Sequence, residues 1–299
     1  MIQVENLRKF YGNTAALRGI SLQVQPGELF GLIGPDGAGK TTLIRILATL
    51  LLADEGAARL DGKDVVADYR AIRRSVGYMP GRFSLYQDLT VEENLKFFAT
   101  IFGTTIAENY ELIRDIYVQL EPFKGRRAGK LSGGMKQKLA LCCALIHKPT
   151  ILLLDEPTTG VDPVSRQEFW EMLKRLKAKN ITILVSTPYM DEASLCDRVA
   201  LIQEGEILQV DTPERIVAGY DKPLLAVKAD HLYKLIQDLR EFEPAHTVFP
   251  FGEYVHLSLK SPVWPELIHG YLIDKGHSGV EIRPVEPTIE DLFMEKSLS

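Results

Sequence analysis

The sequence predicts an α/β protein with a parallel β-sheet, followed by a smaller α+β domain. Three observations lead to this prediction. Short, mainly apolar runs typical of buried strands occur at 29–33, 151–154 and 181–185. Segments with helical spacing of apolar residues separate these runs, and this alternation is typical of a parallel sheet with covered faces. The pattern changes again after about Tyr220, where Lys222-Pro223 is the candidate linker.

The elements of the first part follow in order. Residues 1 to about 30 form short β-like pieces that lead into the first buried run. From about 87 to 147 the pattern is helical, and Thr90 and Glu93 have the spacing of a capping box. A further helix, rich in large apolar residues, separates the second and third buried runs.

The second part, 221–299, has the order βαββαβ, which is that of the ferredoxin-like split βαβ unit. Its elements are predicted, in chain order, at 224–229, 231–242, 247–251, 254–260, 265–275 and 279–284. The sequence therefore predicts two domains, 1–220 and 221–299, with a helical subdomain at about 87–147 in the first.

The composition excludes several functional classes. The net charge is −5 with both signs interspersed, so we expect no nucleic-acid partner. The three cysteines have neither zinc-binding nor disulfide spacing and are expected to be small buried apolar residues. The N-terminal residues lack the apolar core of a signal peptide, and the apolar run at 43–53 is too short to cross a bilayer. We therefore expect a soluble protein with any membrane role exercised through a partner.

Residues 34–41 read GPDGAGKT, which fits G-x-x-x-x-G-K-[ST] between an apolar strand and an apolar helix. Glycines let backbone N–H groups face a phosphate, Lys40 adds a charge near the β- and γ-phosphates, and the Thr41 hydroxyl can ligate magnesium. The alternative is a glycine-rich turn that only joins strand to helix. The candidate nucleotide-binding residues are Gly34, Pro35, Asp36, Gly37, Ala38, Gly39, Lys40, Thr41 and Thr42.

Two carboxylates end the buried run at 151–154. Asp155 is a candidate magnesium ligand, and Glu156 is a candidate general base that polarises the attacking water. Many strands end in acidic residues, so this pair indicates function only together with the phosphate loop.

Residues 131–137 read LSGGMKQ, a helix start in which Ser132 is the cap and Gly133 and Gly134 leave N–H groups open to an anion. Placed between the phosphate loop and the Asp155-Glu156 strand, this segment closely resembles the signature sequence of ABC-type ATPases. Tyr11 resembles the aromatic residue that stacks on adenine in that family. Asp162 resembles the D-loop aspartate at the dimer interface. The resemblance covers residues 1 to about 215, and the remainder resembles the accessory domain of drug-efflux-type ABC exporters.

This resemblance implies a P-loop NTPase fold with a parallel-sheet core, an antiparallel β subdomain and a helical signature subdomain. It implies ATP and Mg as ligands. It also implies two ATPase domains that close head to tail, each ATP lying between the phosphate loop of one and the signature of the other. A second ATP-binding subunit or domain is therefore a predicted partner.

The resemblance further implies a separate membrane permease whose cytoplasmic helix lies near residues 78–98. Phe83, Leu85 and Tyr86 are candidate contacts there, with ordinary packing as the alternative. The chain is then expected to be cytoplasmic and peripheral on the inner face of the cell membrane. The transported substrate is set by the permease in this family.

The sequence departs from the family pattern at two positions. Gly81 stands where a glutamine is usual after a GY-x-P strand, and Pro188 stands where a histidine contacts the terminal phosphate. Proline has neither a side-chain donor nor an N–H. Gln87, six positions beyond Gly81, is the candidate substitute for the glutamine, through a rearranged loop. The departures predict a chain that binds ATP but hydrolyses it slowly, as one half of an asymmetric pair, with a heterodimer favoured over a homodimer.

Two other functions remain open from the sequence. One is an ATP-gated regulatory clamp without significant hydrolysis of its own. The other is a soluble ABC protein of the translation-factor type, which the single ATPase domain disfavours because those proteins carry two in one chain.

Overall fold

The computed structural model describes residues 1–297, which form two compact units, Met1–Thr212 and the unit that begins at Pro213. The division lies before the expected position at 220/221. The reason is a short helix at Pro213–Ala218, which packs on the last helix of the second unit, Ile289–Lys296.

The first unit contains two sheets. Its strands, in chain order, are β1 (Ile2–Tyr11), β2 (Thr14–Val24), β3 (Leu29–Ile33), β4 (Glu55–Leu60), β5 (Lys63–Asp64), β6 (Val76–Met79), β7 (Ile151–Asp155), β8 (Thr182–Thr187), β9 (Arg198–Gln203) and β10 (Glu206–Asp211). Its helices are α1 (Lys40–Leu47), α2 (Tyr69–Ser75), α3 (Val91–Ile101), α4 (Tyr110–Tyr117), α5 (Gly133–Leu145) and α6 (Pro163–Ala178).

The central sheet has the order β10-β9-β3-β8-β7-β6, and its pairs are parallel except for β9 with β10. The predicted parallel sheet is confirmed. All residues of β3, β7 and β8 are buried, which explains why these strands are mainly apolar except at their ends. A second, antiparallel sheet has the order β2-β1-β4-β5.

The helical segment at 87–147 is also confirmed, with α3, α4 and α5 as its α-helices. The capping box is present, because the Thr90 hydroxyl accepts from Glu93 N and the Glu93 carboxylate accepts from Thr90 N. Such reciprocal bonds satisfy two donors that a helix start leaves open.

The second unit consists of α7 (Pro213–Ala218), β11 (Leu224–Lys228), α8 (Leu232–Glu241), β12 (Ala245–Phe251), β13 (Tyr254–Leu259), α9 (Pro265–Asp274), β14 (Glu281–Pro284) and α10 (Ile289–Lys296). The predicted βαββαβ order is present between α7 and α10. The sheet is antiparallel with the order β12-β13-β11-β14, and it has its own apolar core around Val227, Leu235 and Leu257. Among residues 1–297, none of the helices has the length and apolar character needed to span a bilayer.

Candidate nucleotide-binding site

The phosphate loop joins β3 to α1 at the carboxyl edge of the central sheet. Gly39 has φ of 103°, a left-handed conformation that favours glycine, and it directly precedes the first residue of α1. Lys40 is buried, and its Nζ donates to the carbonyl oxygens of Gly34 (2.7 Å) and Pro35 (2.9 Å). The ammonium group is therefore held inside the loop, where a phosphate would replace carbonyl contacts.

Asp155, at the end of β7, has the surroundings of a cation ligand. The residue is only 3% exposed, and its Oδ1 accepts hydrogen bonds from the hydroxyls of Thr41 and Ser186, each at 3.0 Å. Burial raises the pKa of the Asp155 carboxyl, although these two hydrogen bonds oppose the shift. A buried carboxylate next to a threonine hydroxyl fits Mg²⁺, which prefers hard oxygen ligands and keeps several waters.

Glu156 has an unusual backbone conformation. Its φ is 49°, which is uncommon for a residue with a side chain and is found at functional sites. Its backbone N–H donates to both the carbonyl and the hydroxyl oxygen of Ser186. Its Oε1 lies 3.1 Å from Lys40 Nζ. The structure thus brings four predicted residues together, namely Lys40, Thr41, Asp155 and Glu156. Ser186 of β8 is hydrogen-bonded to both carboxylate residues at the end of β7.

The other predicted residues lie outside this group. Tyr11, at the end of β1, is 50% exposed and presents an aromatic ring to solvent. Ser132 is the N-cap of α5 and accepts from Met135 N at 3.3 Å. Asp162 is the N-cap of α6 and accepts from Ser165 N at 3.0 Å. This backbone hydrogen bond lowers the pKa of Asp162.

The two signature glycines have different surroundings. Gly133 is exposed, and a Cβ atom there would lie 3.7 Å from the nearest atom, the carbonyl oxygen of Gly160. Gly134 is buried, and a Cβ atom there would lie 2.6 Å from Ser165 Oγ. Glycine at 134 is therefore required by the close approach of α5 to α6, whereas a Cβ atom at 133 would make only an ordinary van der Waals contact.

Pro188 directly follows the strand that contacts the phosphate loop. The carbonyl oxygen of Thr187 accepts from Gly34 N at 3.3 Å. The next residue, Tyr189, donates its N–H to Thr187 Oγ1, and its ring lies against the Arg166 guanidinium, 4.0 Å from the ring centroid. Tyr189 is thus engaged with α6 and does not replace the donor that Pro188 lacks.

Gly81 lies against Asp155, the last residue of β7. A Cβ atom at this position would lie 3.0 Å from the Asp155 carbonyl oxygen and 3.8 Å from Asp155 Cγ, which is a tight contact. Gln87 lies beside Gly129, whose N–H donates to the Gln87 carbonyl oxygen. Glu156 is instead contacted by Lys40 and by the Thr159 hydroxyl.

Sequence reasoning missed a buried carboxylate near this site. Glu192 is 2% exposed and accepts from the hydroxyls of Thr158 and Thr187, and it pairs with Arg166. Sequence reasoning also missed Ser186. A signal for Ser186 did exist, because the carboxyl ends of neighbouring parallel strands meet at one edge of the sheet, and Ser186 lies at the end of β8, where it pairs in register with Asp155.

A groove of about 460 Å³ lies next to β6 and the helical segment. Its apolar lining includes Leu85, Phe98 and Phe102. Of the proposed permease contacts, Leu85 lines this groove, Tyr86 is exposed and its ring contacts Phe97, and Phe83 lies under the Lys136 ammonium.

The fold and this site define a nucleotide-binding protein of the P-loop class, with a buried carboxylate beside the phosphate loop and a signature-type helix start. Residues 17–159 match the family model described as ABC transporter. The Nod factor export ATP-binding protein I of Burkholderia thailandensis is 41% identical over 299 residues, covering 98% of this chain and 95% of that protein. The chain therefore belongs to the family of ABC transporter ATP-binding subunits.

Other relatives support the same assignment. The probable multidrug ABC transporter ATP-binding protein YbhF of Escherichia coli is 39% identical over 284 residues, covering 94% of this chain. The match spans about half, 49%, of that relative's length. An ATP-binding subunit of an ABC transporter superposes with a TM-score of 0.66 at 29% identity, covering 73% of this chain and 92% of that one. A dimeric ATP-binding cassette in a post-hydrolysis state with ADP and Pi superposes with a TM-score of 0.64 at 26% identity. The match covers 71% of this chain and 98% of that one.

Proposed function

We propose that this chain couples ATP binding and hydrolysis to export through a separate membrane permease, as the catalytically weak half of an asymmetric ATPase pair. Relatives named as multidrug and Nod factor export proteins support the export direction. The weak half rests on one observation: Pro188 follows the residue whose carbonyl contacts the phosphate loop, and it offers no donor there.

The groups that hold nucleotide are complete, whereas two groups that act on the transferred phosphoryl are absent. Lys40 would bind phosphate oxygens, Tyr11 would stack on the base, and Glu156 would orient the attacking water. Negative charge developing on the γ-phosphate would receive no hydrogen bond from position 81 or 188. Loss of one such donor costs about 10²–10³ in rate. We therefore expect ATP binding with slow hydrolysis.

Mg²⁺ fits the Thr41 and Asp155 oxygens. The ion would supply charge neutralisation at the β- and γ-phosphates. The Ser186 hydroxyl orients Asp155 by donating to its Oδ1. Burial raises the pKa of the Asp155 carboxyl, and a bound Mg²⁺ would supply the positive charge that stabilises the ionised form.

The signature of this chain would serve the opposite site. Ser132 and Gly133 are exposed at the start of α5, and Asp162 is at the start of α6, so these groups are accessible to a second ATPase domain. In a homodimer both sites would carry Gly81 and Pro188. A heterodimer with a complete second subunit or domain is therefore favoured, and a homodimer is the alternative.

The groove lined by Leu85 and Phe98 fits the cytoplasmic helix of a permease, because it is apolar and open at the surface. Through this contact the chain would be cytoplasmic and peripheral on the inner face of the membrane. The second unit would be a ferredoxin-like accessory domain, which its βαββαβ order and β12-β13-β11-β14 sheet support.

Steady-state ATP hydrolysis by the purified chain tests the proposal. We expect saturable Mg-ATP binding and a turnover far below that of the same chain assembled with its permease and second ATPase. Brisk hydrolysis by the chain alone, abolished by Glu156→Gln, would refute the weak half.

The absence of donors at 81 and 188 also favours a second candidate, an ATP-gated regulatory clamp without significant hydrolysis. The same assay, run on transporter assembled with the wild-type chain or with Gly133→Asp, separates the two functions. A clamp would bind Mg-ATP, and its assembly would hydrolyse ATP at a rate that does not depend on the Ser132–Gly133 signature.

A further inference from the structure

Glu192 joins three segments of the first unit that are far apart in sequence. Its Oε2 accepts from Thr158 Oγ1 at 3.1 Å and from Thr187 Oγ1, and its Oε1 accepts from Arg166 Nε at 3.1 Å. Thr158 lies two residues after Glu156, Thr187 ends β8, and Arg166 lies in the first turn of α6. Both carboxylate oxygens are therefore used, in a residue that is 2% exposed.

The same helix α6 also contacts the signature segment, through the residue next to Arg166. A Cβ atom at Gly134 would lie 2.6 Å from Ser165 Oγ, so α5 and α6 are in close contact next to the signature. Lys138, almost fully buried in α5, donates to Glu168 of α6 at 2.6 Å. A displacement of the start of α6 therefore changes the position of the signature helix.

The Thr187 end of this network also contacts the nucleotide site. Thr187 O accepts from Gly34 N of the phosphate loop, and the preceding residue, Ser186, donates to Asp155 Oδ1. Occupancy of the phosphate loop and of Asp155 therefore acts on the segment that Glu192 holds.

We propose that Glu192 is a positioning residue that links this chain's own nucleotide site, through Arg166 and α6, to its signature segment at 131–137. The inference rests on the proposed function, in which a slow site acts by binding nucleotide while the signature serves the opposite site. Two buried hydroxyls and one guanidinium that meet on a single carboxylate hold the relative positions of β7, β8 and α6.

Hydrogen–deuterium exchange of the purified full chain, with and without Mg-ADP or Mg-ATP, tests this link. Light scattering is used to select concentrations at which the chain stays monomeric, so that protection cannot come from a second copy. In the wild type, nucleotide is expected to slow exchange both in the phosphate loop and in peptides covering 130–137.

Glu192→Gln is expected to keep the protection of the phosphate loop and to lose most of the nucleotide-dependent protection at 130–137. Thr158→Val, which removes one hydroxyl at nearly constant shape, should act in the same direction, and Thr158→Ser should behave like the wild type. Glu171→Gln removes a carboxylate from an exposed ion pair on the same helix and is the matched control.

In the assembled transporter, Glu192→Gln should lower kcat with little change in KM for ATP. A decrease on the order of tenfold is expected, less than the ~10²-fold caused by a 1 Å misplacement of catalytic groups. Equal protection at 130–137 in the wild type and in both Glu192→Gln and Thr158→Val would overturn the proposal, as would the same loss in Glu171→Gln. Brisk hydrolysis by the chain alone would refute the slow site but would leave these exchange differences unaffected.

Discussion

Replacing Pro188 by histidine is expected to increase ATP hydrolysis by the purified chain. Position 188 follows Thr187, whose carbonyl oxygen lies 3.3 Å from Gly34 N, so a side chain there starts one residue from the phosphate loop. A positioned donor to the transition state contributes about 10²–10³ in rate. Because Gly81 remains, we expect the lower part of this range.

The assay is steady-state phosphate release at saturating Mg-ATP, with Pro188→Ala as the matched control. Alanine removes the proline ring but adds no side-chain donor, so it separates the effect of the imidazole from that of backbone freedom. The gain in Pro188→His should disappear when Glu156→Gln is added. If Pro188→His is no faster than Pro188→Ala, the slow site has a different cause.

Three further predictions concern stability and domain independence. Burial raises the folded-state pKa of Asp155, so ionisation of this carboxyl destabilises the nucleotide-free protein as pH rises. Asp155→Asn should therefore increase Tm at pH 7, and the increase should be smaller in acid. The same substitution should abolish Mg-ATP binding. Burial acts to raise the pKa of Asp291, but hydrogen bonds from His256 and Thr288 hold this pKa below its usual value. Asp291→Asn should therefore lower the Tm of the second unit at pH 7, and the Tm difference from the wild type should shrink as pH falls. A chain that ends at Thr212 should retain the Mg-ATP affinity of the full chain in calorimetry, and a large loss would show that the second unit is needed for the site.

The parts of the site that lie close together in sequence could be predicted. The phosphate loop, the Asp155-Glu156 strand end and the Ser132 cap are each defined by a few consecutive residues whose types carry the chemistry. The capping box at Thr90 is local in the same sense. The βαββαβ order of the second unit could be predicted because its apolar periodicity changes at each element.

Contacts between distant segments could not be predicted in this way. Ser186 contacts Asp155 only because β7 and β8 pair in register. Glu192, in the segment after β8, contacts Arg166 of α6 only because the fold brings these two segments together. The packing of Gly134 on Ser165 likewise depends on how α5 crosses α6. A pattern of residue types in one strand or helix does not contain this information. The boundary expected from the sequence lies later than the division in the structure, because α7 belongs to the second unit by its packing on α10.

The most direct test of an asymmetric pair compares two single variants in transporter assembled from this chain, its permease and the second ATPase. Gly133→Asp places a carboxylate at the exposed start of α5, where a Cβ atom has room, so the packing of α5 on α6 is not disturbed. The added negative charge would repel the phosphate bound in the opposite site. Glu156→Gln removes the carboxylate of this chain's own site. The proposal predicts that Gly133→Asp stops most ATP turnover and that Glu156→Gln changes the total rate little. Loss of turnover in Glu156→Gln together with a mild effect of Gly133→Asp would contradict it.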